Sequence, residues 1–460
     1  MRRYAFFPGL LAMMVAACSS PDEGSSPGDT AADAGDGASP GDGASLGDGA
    51  SPGDGASPGD GASPDGAPPD DAHAEADTGT TCTPLTCGDI PDVLGEVDDG
   101  CGGRLSCPAC PLPMAVGSSG SCECNPPGCT ILCDGEVFED FNSVPFPLNS
   151  DDSGVVIQNC TFRNAARGAV SIMGASDVLI QDCHFESLRS GEAGKDLHAI
   201  NIPGKGHRVT IRRNTFVDIG ADGVQMGHAA GDITDIYILN NLFYVTHEDV
   251  GENGVDVKQT TGPVVLAGNT FHGFRPCDGS TQDCTGSVGE GVVLHNGSTG
   301  VTLARNVFWD NTIGLSMGWG APQLPPENIR VINNLFYDNR NRGLGVGHVH
   351  SIEIAHNTFV SNGGHHLGIS DTPMNGGSCS NVNNLFIGTD TADTDCNAVG
   401  NLTLTPAEAA FVDFAARDLH LTAASLAVNA GENLGSVGFD LDGQPRPTGS
   451  GPDVGADELK

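Results

Sequence analysis

The run Gly251-Glu252-Asn253-Gly254-Val255-Asp256-Val257-Lys258 places a carboxylate and an amine two residues apart in a stretch that alternates like a strand. Similar stretches recur before and after it: Asn201, Gln225, Asp256, Val293 and Ser316 share one outward position, and Gly227, Lys258, His295 and Gly318 the next. His198, Asp222, Asn253 and Glu290 fall at the turn that leads into these strands. If the strands stack, four carboxylates (Asp222, Glu252, Asp256 and Glu290) gather around Lys258 and His295. Clustered carboxylate oxygens suit a hard cation, and Lys or His beside them suits proton transfer. Gln225 and Asn201 lie one and two coils below Asp256 as candidate substrate contacts. The plainer alternative is that Asp256 and Lys258 form an exposed ion pair on a strand face, which contributes little.

The elements that would hold these residues are written nine times. Between residues 155 and 386, aliphatic residues alternate with polar ones, followed by Asn or Cys, one residue and Phe. The phenylalanines are Phe162, Phe185, Phe216, Phe243, Phe271, Phe308, Phe336, Phe359 and Phe386, spaced 23 to 37 residues apart. A period in that range marks a solenoid whose coils each fail to bury an apolar face alone and so stack on their neighbours. Asn214, Asn241, Asn269, Asn306, Asn334, Asn357 and Asn384 form an inward column of amides able to bond to the coil above and below. Cys160 and Cys183 hold that position in the first two coils, as stacked thiols or a bridge. A second strand begins with Gly in each coil, as in Gly223, Gly254, Gly291, Gly314 and Gly343. Two or three strands per coil with right-handed crossovers predict an all-β, right-handed parallel β-helix of nine or more coils over residues 129–410.

These repeats resemble the pectate-lyase-like superfamily of right-handed β-helices over about residues 130–410. That superfamily holds lyases, hydrolases, epimerases and non-enzymatic adhesins, so the resemblance speaks to fold before activity. Its lyases place carboxylates on adjacent coils to hold Ca²⁺, with a nearby Lys or Arg taking a proton. By that resemblance Asp222, Glu252 and Asp256, with Glu290 as a further ligand, hold Ca²⁺ bridging a uronate carboxylate. Lys258 then removes the acidified proton, with His295 as acid or alternative base. A carboxylate beside Lys258 raises its pKa and spoils it as a base unless a cation neutralises that carboxylate. Neither the Asp-Pro-His-Asp signature of alginate epimerases nor the aspartate triplet of polygalacturonases is present.

Charge and flanking segments narrow location and partners. The chain carries a formal charge of −39, and residues 19–81 hold fourteen acidic residues with no Lys or Arg. Such a balance argues against nucleic acid as a partner. It also repels acidic glycans unless a bound cation or local basic group reverses the field. Residues 1–18 read as an export signal: Arg2 and Arg3, an apolar run, then Val15-Ala16-Ala17-Cys18. The ending resembles a bacterial lipobox, which implies lipidation at Cys18 and an outer-membrane, cell-surface anchor. Residues 19–81 are too poor in apolar side chains to fold and read as a tether. Residues 82–128 form a Cys-rich module, expected to be disulfide-bonded in an oxidising compartment. Cys277 with Cys284 and Cys379 with Cys396 are expected to staple loops.

Residues 411–460 resemble the terminal segment of many secreted β-helix proteins. They carry Asp440-Leu441-Asp442-Gly443-Gln444-Pro445-Arg446-Pro447 and Asp453-Val454-Gly455-Ala456-Asp457-Glu458. A cap on the last coil is expected, with Arg446 paired to Asp453 or Glu458 and with Asp440 and Asp442 as turn formers or Ca²⁺ ligands. His348, His350, His365 and His366 fall on adjacent coils as polar residues or transition-metal ligands, and Trp309, Trp319 and Tyr337 as a small sugar-stacking platform. Two functions from different classes remain. One is a monomeric, surface-tethered protein binding and cleaving an extracellular polysaccharide by lyase-like chemistry. The other is a non-catalytic β-helix for adhesion or display.

Overall fold

The computed structural model describes residues 130–460 except 191–196, 228–231, 248–249, 276–288, 296, 319–323, 374 and 389–395, together with the backbone of four short strands between residues 96 and 124. Those four strands pair as two antiparallel ribbons, Glu96–Asp98 with Arg104–Ser106 and Met114–Val116 with Cys122–Cys124. Cys18, Cys277, Cys284 and Trp319 lie outside the described residues.

From Thr130 onward the chain winds into three parallel sheets of nine, eleven and eleven strands among the described residues. Each sheet takes one strand per coil, and neighbours in a sheet are successive coils. The first long sheet holds the alternating strands, running from Thr130–Asp134 to Asn397–Val399. The second holds the phenylalanines, from Val137–Glu139 to Leu402–Leu404. The third, from Phe146–Asn149 to His365–Ile369, holds the Gly-initiated strands and the candidate site.

The phenylalanines face inward in strict register and stack at 4.5–5.1 Å between centroids, with ring planes 3–13° apart. Phe138 adds a tenth ring ahead of the nine in the repeat. The Gly starts answer this stack. A Cβ on Gly254 would sit 2.6 Å from Phe271 Cδ1 and 2.6 Å from the Gly291 carbonyl, and Gly223, Gly291, Gly314 and Gly343 are as crowded. Thus the phenylalanine of one sheet requires the missing side chain in the next.

The asparagine ladder closes the turn between the first two sheets. Asn241 donates its backbone N–H (2.9 Å) and its amide (3.0 Å) to Asn269 Oδ1, and donates again to the Ile211 carbonyl. This pattern repeats from Asn214 through Asn384 to Asn401. The residue before each rung turns left-handed, including Arg213, Asn240, Arg305, Asn333 and His356 at φ 51–57°. That backbone costs about 1–2 kcal/mol per residue, which the buried amide bonds offset. A second, shorter ladder links Asn311, Asn339 and Asn362 at the opposite end of the phenylalanine strands.

Cysteines substitute for the first rungs. Cys160 is bridged to Cys133 and leaves Cys183 free and buried, so the two rung cysteines do not pair with each other. Burial pushes the Cys183 thiol up to about 12. Cys379 and Cys396 are bonded as expected.

The C-terminal segment departs from the expected end cap. Ala409, Phe411, Leu419, Leu421, Ala427 and Val454 pack against Leu335, Val360 and Leu385, the outward positions of the phenylalanine sheet. It therefore lies along the flank of the last coils, where apolar outward side chains await a cover. Asn333 and Asn383 donate to the Phe439 and Glu432 carbonyls, and His356 bonds the Asp453 carbonyl. Asp440 is a turn former: its Oδ1 accepts from the N–H of Asp442 and Gln444.

Candidate functional site

Strand pairing confirms the columns drawn from the repeat. Asn201, Gln225, Asp256, Val293 and Ser316 are direct partners on successive coils. Asp222, Asn253 and Glu290 form the column three residues earlier. Lys258 and His295 follow their strands, each donating its backbone N–H to the coil below.

These outward side chains are not at an open surface. Asp222 is fully buried, and Gln225, Asn253, Asp256 and Glu290 are 7% exposed or less. The exposed ion pair expected on the strand face is thus corrected: Asp256 is 2% exposed, while Lys258 and His295 beside it reach out. Coils about 4.8 Å apart let side chains of adjacent strands cover one another, so an outward position need not be a wet one.

The buried acids are held by donors. Asp222 Oδ1 accepts from Asn253 Nδ2 at 3.0 Å, while Oδ2 lies 2.9 Å from His198 Nδ1 and 3.3 Å from Gln225 Nε2. The same Gln225 amide lies 3.4 Å from Asp256 Oδ2. Asp256 Oδ2 is 2.5 Å from Lys258 Nζ, and Oδ1 is 3.4 Å from His295 Nε2. Glu290 Oε1 accepts from Ser316 Oγ on the following coil at 3.2 Å. Asn201 adjoins Gln225 with its Oδ1 buried and unbonded among the described residues.

Electrostatics follow from this packing. Burial pushes the Asp256 carboxyl up to about 7, reinforced by Asp222 and opposed by Lys258. Burial likewise pushes Glu290 up to about 7, opposed by the Ser316 hydroxyl and helped by Glu252. For Lys258, burial works against the charge, but Asp256, Asp222 and Glu252 together outweigh it and hold the ammonium above its ordinary value. Burial and then the Lys258 charge hold His295 below its ordinary value. At neutral pH the two reaching groups are therefore a cation and a neutral imidazole. This is the reverse of the assignment that made Lys258 the base.

The expected calcium set does not fit. No three of Asp222, Glu252, Asp256 and Glu290 bring ligand oxygens within 4.8 Å of one another. The Gln225 amide stands between Asp222 and Asp256, the Lys258 ammonium takes Asp256 Oδ2, and Glu290 turns to Ser316. Both Asp222 oxygens, Asp256 Oδ2 and Glu290 Oε1 thus face donor groups of the chain itself, while Asp256 Oδ1 is buried without a hydrogen bond.

A cleft of about 500 Å³ begins one residue past Lys258, lined by Gln259, Thr260, Gly297, Thr299, Glu327 and His350 among others. Sequence reading missed it because it is built from turns, whose lengths vary between coils. His348 faces Asp371 and His366 bonds the Ile387 carbonyl, so the histidines of these coils do not gather as metal ligands. Trp309 and Tyr337 do not form a platform. They stack in a column with Tyr244 and His272, with centroids 4.2–6.1 Å apart. Ring faces within the column are used on neighbouring rings rather than turned to solvent.

Three parallel sheets, one strand per coil and an inward asparagine ladder define a parallel β-helix with a buried acid cluster on one wall. The family model for the right-handed β-helix region matches residues 129–271 and 198–386, and the chain belongs to that family. No curated protein matches the sequence. Among solved structures, the chain is similar to pectate lyase Pel9A, at 14% identity, TM-score 0.43 and coverage of 70% of this chain and 86% of that one. It is similar to a rhamnogalacturonan lyase at 16% identity and TM-score 0.41, covering 61% of this chain and 82% of that one. It is similar too to PfbA, a surface adhesin of Streptococcus pneumoniae, at 14% identity and TM-score 0.40, covering 60% and 69%.

Proposed function

We propose that this β-helix binds an extracellular uronate polysaccharide and cleaves it by β-elimination at Lys258 and His295, without a resident metal. The observation that carries this reading is the pairing of a cationic Lys258 with a neutral, partly exposed His295 across one buried carboxylate, beside an open cleft. Lys258 offers the positive charge that a uronate carboxylate needs in an otherwise acidic wall. Contact with Asp256 favours the tautomer with the proton on His295 Nε2, leaving Nδ1 as the base. Nδ1 takes the proton from the carbon next to the uronate carboxyl. That C–H bond and the glycosidic C–O bond break, a C=C bond forms, and water protonates the leaving oxygen. The imidazolium passes its Nε2 proton to ionised Asp256, whose carboxyl exchanges near neutrality. The cleft beyond Lys258, with its amide, hydroxyl and carboxylate lining, supplies room for a neighbouring sugar. Arg2, Arg3 and the Val15-to-Cys18 run support a lipid-anchored, surface location for this activity.

The test is incubation of the chain with a panel of uronate polysaccharides in EDTA and in Ca²⁺, following the ultraviolet absorbance of unsaturated sugar. Product in EDTA supports the reading; a requirement for Ca²⁺ returns the site to metal-assisted elimination; no product with any polymer removes the lyase. A second reading, a non-catalytic display or adhesion protein, is favoured by the acidic balance of the chain. It is distinguished by glycan binding that survives Lys258→Met with no turnover in either protein.

A further inference from the structure

A second group of ligand-type side chains sits in the C-terminal segment, sharing no residue with the acid cluster. Three stretches of chain contribute. The strand Asp418–Leu421, which pairs with Phe411–Asp413, carries His420; the turn after Asp440 carries Asp442; the last residues carry Asp457. Among the described residues this is the one trio whose ligand atoms all lie within 4.8 Å of one another.

His420 is oriented as metal-binding histidines are. Its Nδ1 lies 2.5 Å from Asp418 Oδ1, and its Nε2 3.0 Å from Asp442 Oδ2. A carboxylate on Nδ1 fixes the proton there and turns Nε2 outward as the lone-pair donor. A neutral Nε2 and a carboxylate oxygen 3.0 Å apart are both acceptors, so a positive occupant has to join them, either a second proton or a metal ion. Asp457 is buried and ties to the hairpin through the Leu421 N–H at 2.6 Å, which sets its carboxylate rigidly. Asp442 is exposed at the tip of a turn, where its Oδ2 also accepts from Gln444 Nε2 at 3.3 Å. Asp440 is committed to the turn and to the Glu458 N–H, and the nearby Arg446 to Glu458.

We propose that His420, Asp442 and Asp457 bind one divalent transition ion of the zinc type, with Asp418 as the positioning residue, so that the ion fastens the hairpin to the final turn. One imidazole with two carboxylates suits Zn²⁺ at about 2.0–2.2 Å, with water completing the shell. It disfavours Ca²⁺, which takes six to eight oxygens, and Mg²⁺, which keeps its waters. The proposal uses no residue of the glycan-cleaving reading and stands or falls apart from it.

Full-length protein stripped with EDTA is dialysed against Zn²⁺, Mn²⁺ or Ca²⁺, and bound metal is measured per chain. Because the chain holds other His and Cys, the readout is the difference from His420→Gln and Asp442→Asn. The expected result is one zinc per chain lost in both variants, affinity about 10- to 100-fold weaker in Asp418→Asn, and a zinc-dependent rise in Tm absent from Asp442→Asn. Asp442 is exposed, so its replacement leaves folding intact. Equal zinc content in wild type and both variants overturns the proposal, and so does preferential retention of Ca²⁺.

Discussion

Lys258 Nζ stands 2.5 Å from Asp256 Oδ2, two residues back along the same strand, and this contact decides what Lys258 can do. An ammonium held by a carboxylate is a poor base, but its charge and its remaining N–H groups can still meet a substrate anion. Lys258→Met is expected to abolish uronate cleavage while circular dichroism stays unchanged, and Lys258→Arg to keep part of it because the charge remains. His295→Ala is expected to lower turnover by on the order of 10²-fold or more, the usual contribution of a general base. Initial rates on the polymer that gives product check both. Full activity in His295→Ala would remove that residue from the mechanism.

Glu290 gives a pH signature independent of substrate. Its folded carboxyl is pushed up to about 7 from an ordinary 4.5. Below pH 4.5 the folded and unfolded chains both carry the proton. Between about 4.5 and 7 the unfolded chain has released it and the folded chain has not, so this group lowers stability as pH rises through that window. Glu290→Gln is expected to stabilise the protein at pH 8 by up to about 3 kcal/mol and to be close to neutral at pH 4.5. Urea unfolding of both proteins at the two pH values tests this, and equal differences at both would refute it.

The asparagine ladder predicts a cost well above that of one hydrogen bond. Asn269 Oδ1 accepts two bonds from Asn241, and its Nδ2 donates to the Ile238 carbonyl and to Asn306 Oδ1. Asn269→Ala leaves several of these groups buried and unmet, at about 1–3 kcal/mol each. A loss of at least about 3 kcal/mol in chemical denaturation is expected. A loss under 1 kcal/mol would mean that water or a shifted turn satisfies them.

What could be read ahead of the structure follows from how a solenoid repeats. One coil fixes the register of the next, so the phenylalanines, the ladder and the Gln225–Asp256–Ser316 column were all legible as aligned text. Features outside the phrase were not. Phe138 sits in a coil whose alternating strand is bulged at Ile131 and Cys133, and Thr403 replaces Phe in the last. The Asn311–Asn339–Asn362 ladder sits three residues past Phe in only three coils, while Ala165, Leu188, Ile219 and Phe274 hold that place in others. Alternation shows that Asp222 and Asp256 point outward, but it carries no information on what covers them. Nor does spacing show that the Gln225 amide reaches both acids.

The C-terminal segment yields the last prediction. Arg446 and Glu458 are each 1% exposed and 3.0 Å apart, and Arg446 also donates to the Asp453 and Gly455 carbonyls. Glu458 accepts from the N–H groups of Asp453 and Thr448. Burial draws the Arg446 guanidinium below its ordinary value, with Glu458 opposing. Removing one partner strands the other charge in an apolar site, so Arg446→Met is expected to cost about 3–5 kcal/mol. The double variant Arg446→Met with Glu458→Leu removes both charges and is expected to recover part of that loss. Because the pair ties down a segment lying on Leu335, Val360 and Leu385, the damage is expected first as local opening. Amide exchange should quicken across residues 411–460 and at Leu385 before it does at Phe271 in mid-solenoid. Uniform loss of protection along the whole rod would show instead that the segment and the coils unfold as one unit.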